Sequence, residues 1–166
     1  MRVITGSARG RRLRELEGQE TRPTTDRVKE GIFNIIQFDI EGRRVLDLFA
    51  GTGQLGIEAL SRGAESAVFV EQRRDAVRLI RENLELTGLA DRGRVVNGDA
   101  MAFLSGERGG FDLIFVDPPY ALNLWEQTLE EISRFDILRG HGIIICECPV
   151  EHSLPERVGA CVCHRT

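Results

Sequence analysis

The feature that most constrains the fold is an alternation of short apolar segments with amphipathic segments, which begins at Arg43 and continues to residue 148. The apolar segments predict strands over residues 45–49, 67–71, 94–97, 113–117 and 143–148. The amphipathic segments predict helices over residues 54–62, 74–87, 100–104 and 124–134. Strands without polar alternation are typical of a parallel sheet that is buried on both faces. We therefore predict an α/β fold with a doubly wound, mostly parallel sheet.

The first part of the chain has a different pattern. Residues 1–21 predict two short strands, at about 2–4 and 11–16, joined by a turn over residues 6–10. Residues 1–29 carry 8 basic and 4 acidic side chains, whereas the remaining 137 residues carry 14 basic and 22 acidic ones. A basic patch on an acidic body is typical of a protein that binds a phosphate backbone, although a solvated basic hairpin has the same composition.

The length of 166 residues suits one domain. We expect a single domain over residues 1–166, in which residues 1–21 form a basic hairpin extension and residues 22–166 form the core. The apolar segments are too short to span a bilayer, and the first residues contain no stretch that is apolar enough for a secretory signal. We therefore expect a cytoplasmic protein with no membrane partner.

A helix is predicted to begin just after the hairpin. Thr24 or Thr25 can cap its N-terminus, and Asp26 lies in the first turn, where a negative charge is favourable. The helical spacing of four apolar side chains predicts its buried stripe: Val28, Ile32, Ile35 and Ile36.

The four cysteines form two Cys-x-Cys pairs, Cys146 with Cys148 and Cys161 with Cys163. Structural zinc sites usually place two to four residues between paired cysteine ligands. We therefore expect small buried thiols and no metal. Disulfides are not expected in a chain without a secretory signal.

A glycine-rich loop follows the first predicted strand. Gly51, Gly53 and Gly56 form the pattern G-x-G-x-x-G between a strand and a helix, which lets the backbone approach a ligand closely. The pattern also fits a dinucleotide site, but Asp47 lies four residues before the first glycine, where it can reach an ammonium group or the loop amides. A tight glycine loop, a carboxylate for a ribose diol and a partner for an ammonium group together favour S-adenosylmethionine.

Acidic residues follow the next two predicted strands. Glu71 ends the second strand, where its carboxylate can accept hydrogen bonds from both ribose hydroxyls. Asp99 and Ala100 come after the third strand, and we expect both to contact the cofactor; the Asp99 carboxylate can accept a hydrogen bond from an adenine amino group. Taken singly, Glu71 can also be a solvated strand end and Asp99 a helix cap. Three acids after three consecutive strands favour a nucleoside pocket at the carboxyl edge of the sheet.

The most specific motif is Asp117-Pro118-Pro119-Tyr120, directly after the fourth predicted strand. Proline has a fixed φ and no amide donor, so the carbonyls here remain available as acceptors. The Asp117 carboxylate and the Pro118 carbonyl can each accept one hydrogen of an amino group on an aromatic ring. This arrangement favours a pyramidal nitrogen with an available lone pair, and Tyr120 can stack on the base. The motif predicts methylation of an amino group, with these four residues as catalytic residues.

These motifs resemble those of class I S-adenosylmethionine-dependent amino methyltransferases, which have a Rossmann-like fold. The resemblance to one family within this class is carried by four further segments: residues 5–11 (TGSARGR), 22–24 (RPT), 30–34 (EGIFN) and 46–64. Over nearly the whole chain, the sequence is similar to the RsmD family. This family methylates the N2 amino group of a guanine in 16S ribosomal RNA, conventionally numbered 966.

The resemblance implies S-adenosylmethionine as the cofactor and 16S rRNA as the substrate, in the small ribosomal subunit or its assembly intermediate. We expect Arg9, Arg11 and Arg12 to hold RNA phosphates, and Arg22 and Thr24 to line the methionine end of the cofactor pocket. Members of the family normally continue into a further strand after the last residues of this chain. The C-terminal hairpin is therefore expected to be truncated.

Other functions fit part of the pattern. A methyltransferase with the same chemistry can act on DNA adenine or on a glutamine of a protein. An NAD-dependent dehydrogenase can share the glycine loop, although nothing in that class requires the motif at 117–120. A non-catalytic RNA-binding protein for ribosome assembly would bind RNA without transferring a methyl group.

Overall fold

The structure, a computed structural model, describes residues 1–18 and 25–164. Its centre is a five-stranded parallel sheet in the order β3-β2-β1-β4-β5. The strands are β1 (Arg44–Asp47), β2 (Ser66–Glu71), β3 (Gly93–Asn97), β4 (Phe111–Val116) and β5 (Leu138–Cys146). The chain moves outward from β1 in one direction and then from β4 in the other, which confirms the predicted doubly wound sheet.

The α-helices are α1 (Asp26–Ile35), α2 (Gln54–Ser61), α3 (Arg74–Thr87), α4 (Ala100–Gly106) and α5 (Trp125–Arg134). Short 3-10 helices cover Ala90–Arg92 and Tyr120–Leu122, and β6 (Arg157–Val158) pairs antiparallel with β7 (Cys161–Val162) outside the main sheet. The predicted bounds of α3 are confirmed. β5 begins at residue 138 rather than at the predicted residue 143. Its first part is irregular, with a φ of 63° at His141, and such a segment does not show the apolar pattern of a regular strand. Across the two described ranges, no helix is long and apolar enough to cross a membrane.

The helices pack on both faces of the sheet. Successive side chains of a strand point to opposite faces. Phe69 and Phe115 therefore join an apolar cluster with α1, α2 and α3, whereas Val68 and Val116 join a second cluster with α4 and α5. Burial on both faces explains why the strands show no polar alternation.

The N-terminal arm, residues 1–18, pairs with itself over a shorter length than predicted. An isolated antiparallel bridge joins Arg2 and Arg12, and the two predicted strands do not extend beyond it. Neighbouring backbone groups bond to a helix instead. The N–H groups of Ile4 and Thr5 donate to the Glu58 carboxylate of α2 at 2.9 and 3.0 Å. The arm is therefore held by the helix that follows the glycine loop.

The apolar stripe predicted for α1 is wrong at two of its four positions. Val28 and Ile35 are 44% and 53% exposed, and the helix buries Lys29 and Phe33 instead. The Lys29 Nζ atom lies 3.5 Å from the Glu58 Oε2 atom. Burial lowers the pKa of Lys29, and the charge of Glu58 opposes this shift. A hydrophobic pattern cannot reveal this lysine, because the carboxylate that pairs with it lies in another helix.

The structure distinguishes between the two predicted caps of α1. The helix begins at Asp26, and the hydroxyl oxygen of Thr25 accepts the Val28 N–H at 3.3 Å. Thr25 is therefore the cap, and Thr24 lies outside the described residues.

Candidate active site

The predicted acidic residues gather at one edge of the sheet. Asp47 ends β1, Glu71 ends β2, and Asp117 follows β4 directly, while Asp99 comes shortly after β3. Because these strands are parallel and pair with one another, their carboxyl ends meet at the same edge. This edge includes the point between β1 and β4 where the strand order reverses, which is where open α/β sheets bind ligands.

The glycine loop joins β1 to α2 in a conformation that favours glycine. Gly51 and Gly53 have φ angles of 57° and 81°, in the left-handed region. The Gly53 N–H donates to the Ala50 carbonyl at 2.7 Å, which closes a tight turn. At Gly56, an added Cβ would lie 2.3 Å from a ring carbon of Phe69, so glycine is required for α2 to pack against β2. Glycine is thus favoured at positions 51 and 53 by the backbone conformation, and at position 56 by close packing.

Glu71 anchors the loop to the end of β2. Its Oε2 atom accepts the Gly51 N–H at 2.8 Å, and its Oε1 atom accepts the Arg73 N–H at 2.9 Å. Each carboxylate oxygen has two lone pairs, so these bonds leave acceptor capacity for the two hydroxyls of a ribose. The contact of Glu71 with a ribose stays a prediction. The structure shows a second role for this carboxylate, which is to hold the glycine loop.

Asp47 is buried next to the loop, with 2% of its surface exposed. Its Oδ2 atom accepts the N–H of Gly56, in the first turn of α2, at 3.0 Å. Burial raises the pKa of Asp47 to about 7; the hydrogen bond from Gly56 opposes the shift, and the charge of Glu71 adds to it. Of the two partners predicted for this carboxylate, an ammonium group and the loop amides, the structure shows an amide.

Asp99 caps α4. Its Oδ2 atom accepts the Ala102 N–H at 3.0 Å, and the residue is exposed. Ala100, the first residue of the helix, is buried in the apolar cluster beneath α4 and α5. The structure therefore shows the helix cap, while the contact of Asp99 with an adenine amino group stays a prediction.

Asn83 is a buried polar residue that sequence reasoning missed. It lies in α3 and is 0% exposed. Its Nδ2 atom donates to the carbonyls of Thr52 and Arg14 at 3.0 and 3.1 Å, and its Oδ1 atom accepts the Arg14 N–H at 2.7 Å. One side chain thus joins the glycine loop to the N-terminal arm. The signal in the sequence is its place beside Ile80 and Leu84 on the inward face of the helix, where a polar side chain requires buried partners.

Gln54, the first residue of α2, is only 9% exposed. Its Oε1 atom is buried and has no hydrogen-bond donor among residues 1–18 and 25–164. A buried acceptor without a donor costs about 1–3 kcal/mol. The Cα–Cβ bond of a helical residue tilts towards the N-terminus of its helix, so Gln54 leans towards the glycine loop. A ligand on the loop is therefore in a position to supply the missing donor.

Asp117 is the acid with the fewest protein partners at this edge. Burial raises its pKa to about 7, and the charges of Glu147 and Asp47 add to the shift. Within the described ranges, no hydrogen-bond donor reaches its carboxylate. Such a group is suited to a ligand that brings hydrogen-bond donors.

The other three residues of the tetrapeptide differ in burial. Pro118 is buried and Pro119 is exposed. Tyr120 is 38% exposed, and its ring centroid lies 5.7 Å from that of the Trp125 ring, which in turn lies 4.7 Å from the His152 ring. A partly exposed aromatic ring that is held by other rings is suited to stacking on a base.

Glu147 was not predicted as a site residue, although it lies beside Asp117. Val116 of β4 pairs with Cys146 of β5, and the Glu147 N–H donates to the Val116 carbonyl at 3.0 Å. The Trp125 indole N–H donates to the Glu147 carbonyl at 2.8 Å. Two acids thus follow directly on two paired strands. The predicted strand extends to residue 148 and therefore includes Glu147. In the structure β5 ends at Cys146, so Glu147 follows the strand at the edge where the other acids lie.

The three arginines predicted to hold RNA phosphates lie on the N-terminal arm and differ in their contacts. Arg9 and Arg12 are exposed, and in the described part of the chain their guanidinium groups have no hydrogen-bond or ion-pair partner. The Arg11 Nη1 atom donates to the Leu86 carbonyl at 2.8 Å, in the last turn of α3. Arg9 and Arg12 are therefore open to a phosphate, whereas Arg11 already has a structural contact.

Two predicted cofactor contacts, Arg22 and Thr24, lie outside the described residues. Among the residues described, no group of three or more His, Cys, Asp or Glu side chains is arranged to hold a metal ion. The prediction of buried thiols is wrong. Cys146 ends β5 at the edge strand of the main sheet, and Cys161 lies in the short strand β7 outside it, so neither is fully covered. The thiols are half-buried or exposed: Cys146, Cys148, Cys161 and Cys163.

Comparison with known proteins gives matches over the whole chain. The family described as Conserved hypothetical protein 95 matches residues 1–166. Ribosomal RNA small subunit methyltransferase D of Escherichia coli is 40% identical over 93% of this chain and 78% of its own length. YlbH of Bacillus subtilis is 44% identical over 99% of this chain and 91% of its own length. The solved structure of yhhF from Escherichia coli has a TM-score of 0.86 at 40% identity and covers 96% of this chain and 86% of that chain.

Proposed function

This chain belongs to the RsmD family, and from that premise we propose that it methylates the N2 amino group of a guanine in 16S ribosomal RNA. S-adenosylmethionine is the methyl donor. The substrate is the small ribosomal subunit or its assembly intermediate in the cytoplasm, and the target is the guanine conventionally numbered 966. The chain acts as one domain, in which the N-terminal arm extends the core that begins at residue 22.

The observation that carries the proposal is the position of the Asp117 motif next to the glycine loop. The two segments follow neighbouring strands, β1 and β4, in which Asp47 pairs with Phe115. A cofactor on the loop and a base against the motif would therefore meet at the carboxyl edge of the sheet. A methyl donor and an amino acceptor must meet in this way for direct transfer.

The residues at the loop fit S-adenosylmethionine. This cofactor presents a ribose diol and an α-ammonium group, both of which are hydrogen-bond donors. Glu71 is a carboxylate with spare acceptor capacity, and the Gln54 Oε1 atom is a buried acceptor without a donor among the described residues. When bound, the cofactor supplies a methyl group that is already activated by its positive sulfur. The protein then has only to hold and orient the two reactants.

Asp117 and Pro118 form the acceptor side of the site. The lone pair of guanine N2 is delocalised into the ring, which makes the amino group a poor nucleophile. Acceptance of its two hydrogens by the Asp117 carboxylate and the Pro118 carbonyl favours a pyramidal nitrogen with an available lone pair. The methylated nitrogen gives up one proton to Asp117 or to water. Tyr120 stacks on the base, and catalysis comes from orientation and fixed acceptors.

Methyl transfer to unmodified small subunits tests this proposal. The protein is incubated with tritiated S-adenosylmethionine and small subunits that lack the modification, and the labelled nucleoside is identified and mapped. We expect one labelled N2-methylguanine in 16S rRNA. DNA and protein substrates are assayed beside it, and label in adenine or in a glutamine would contradict the proposal. RNA binding without transfer to any substrate would identify a non-catalytic assembly protein.

The RNA-binding role of the arm has a separate test. We expect that Arg9→Ala together with Arg12→Ala weakens RNA binding and reduces its salt dependence by about 0.7 in logarithmic slope for each lost phosphate contact. Arg157→Ala, which removes an exposed arginine of β6, is the matched control. An unchanged slope in the double variant would show that these arginines are only a solvated surface.

A further inference from the structure

We propose that Glu147 accepts a hydrogen bond from N1–H of the target guanine and thereby makes the site select guanine over adenine. The inference rests on the proposed function, because it concerns the base that enters the same site. It adds a specificity-determining residue to the acceptor side.

The backbone of Glu147 is fixed on both sides. Its N–H donates to the Val116 carbonyl at 3.0 Å, and its carbonyl accepts the Trp125 indole N–H at 2.8 Å. Since Val116 pairs with Cys146, Asp117 and Glu147 occupy the next matching positions on parallel neighbours, and matching positions point to the same face. The charge of Glu147 is close enough to be the largest electrostatic contribution to the raised pKa of Asp117. The two acids therefore follow paired residues at the edge where the base is expected, and their charges interact.

The hydrogen-bonding pattern of guanine matches this pair of acids. The Watson–Crick edge of guanine presents three hydrogens as donors, one on N1 and two on N2. The acceptor side presents three acceptors, the carboxylates of Asp117 and Glu147 and the carbonyl of Pro118. The charge of Glu147 acts unfavourably on that of Asp117, and donors on the base that bond to these carboxylates reduce this repulsion. Enzymes that act on extruded bases recognise this edge.

Adenine has the opposite pattern at the ring nitrogen. Its N6 amino group supplies two donors, but its N1 atom is an acceptor. A carboxylate at Glu147 would face a lone pair on adenine, and neither group can donate a hydrogen bond to the other. A site built to hydrogen-bond one ring nitrogen discriminates strongly against an analogue that cannot do so.

The decisive substrate pair is guanine and 2-aminopurine. The analogue keeps the amino group at C2 but carries a lone pair on N1 instead of a hydrogen. Small subunits are reconstituted with 16S rRNA that has either base at the methylated position, and kcat/KM is measured for each. We expect the unaltered protein to prefer guanine by about ten- to a hundredfold, the usual discrimination of a well-placed hydrogen-bonding pair.

Glu147→Gln is the informative variant. Its amide can rotate and donate to N1 of 2-aminopurine, so we expect the preference for guanine to fall to a few-fold. The backbone bonds of this residue do not involve its side chain, and a thermal unfolding curve checks that the variant is folded. Glu130→Gln, which removes the same charge from an exposed position on α5, should keep the full preference.

The outcomes separate the two proposals. If Glu147→Gln is folded and active but keeps the full preference, the inference is wrong while the proposed function stands. If the unaltered protein methylates neither base in subunits, the proposed function fails, and the inference falls with it. Glu147→Asp, which keeps the charge on a shorter side chain, should keep the preference at a lower rate.

Discussion

The two sides of the site differ in how their carboxylates are held. On the glycine-loop side, Asp47 accepts the Gly56 N–H, and Glu71 accepts the Gly51 N–H. On the acceptor side, Asp117 receives no hydrogen bond from the described residues, although it is half-buried and its pKa is raised to about 7. The loop side therefore has its geometry set by the protein itself, whereas the acceptor side is arranged for donors that a substrate brings.

The loop side is also tied to the rest of the molecule. Asn83 joins the loop to the N-terminal arm, and Glu58 binds the arm to the helix that follows the loop. Because Glu58 also pairs with Arg62 at 2.9 Å and lies beside Lys29, several elements depend on one buried carboxylate. We therefore expect substitutions on the loop side to act mainly on the stability of the protein, and substitutions on the acceptor side to act mainly on turnover.

The largest expected effect is therefore on stability, from Glu58→Leu. This change leaves Lys29 buried without its carboxylate and removes the acceptor of the Ile4 and Thr5 N–H groups. We expect the free energy of unfolding to fall by about 3–5 kcal/mol, measured by urea denaturation. Glu30→Leu, at an exposed position of α1, should change it by no more than about 0.5 kcal/mol. Equal effects of the two changes would show that other contacts hold the arm.

The next largest effect is on turnover, from Asp117→Ala. Removal of a preorganised acceptor should cost about 2–4 kcal/mol of transition-state stabilisation. The loop side is unaltered, so we expect the affinity for S-adenosylmethionine, measured by calorimetry, to stay the same. A folded variant with normal turnover on RNA would rule out the proposed role of this carboxylate.

The raised pKa values predict a pH dependence of stability. Asp47 and Asp117 bind a proton more tightly in the folded protein than in the unfolded chain, because burial raises each pKa from 3.8 to about 7. Their contribution is full below the unfolded value and is lost as the pH rises towards the folded value. The free energy of unfolding should therefore fall between pH 3.8 and about 7, and Asp117→Asn should flatten this fall. A variant with the same slope would show that this carboxylate is not protonated in that range.

The sheet and its carboxyl edge could be predicted because strands that are buried on both faces have continuous apolar sequences without polar alternation. The sequence could not predict the buried partners of Lys29 and Asn83, since only the fold brings Glu58 and Thr52 near them. Glu147 was missed for another reason, because the end of β5 depends on its pairing with β4. Local patterns thus predict elements, whereas pairing between distant elements decides which polar groups meet.

Gln54→Leu tests whether the loop side also recognises the cofactor, because stability should rise while the affinity for S-adenosylmethionine falls. Leucine has a similar volume but no buried acceptor, so we expect the free energy of unfolding without ligand to rise by about 1 kcal/mol. Loss of the acceptor for the cofactor's ammonium group should weaken binding of S-adenosylmethionine by about tenfold, the size of one hydrogen bond to a charged group. Gln127→Leu, at an exposed position of α5, should leave the affinity unchanged. If Gln54→Leu binds the cofactor normally, its amide does not face the ligand, and the loop side recognises the ammonium group elsewhere.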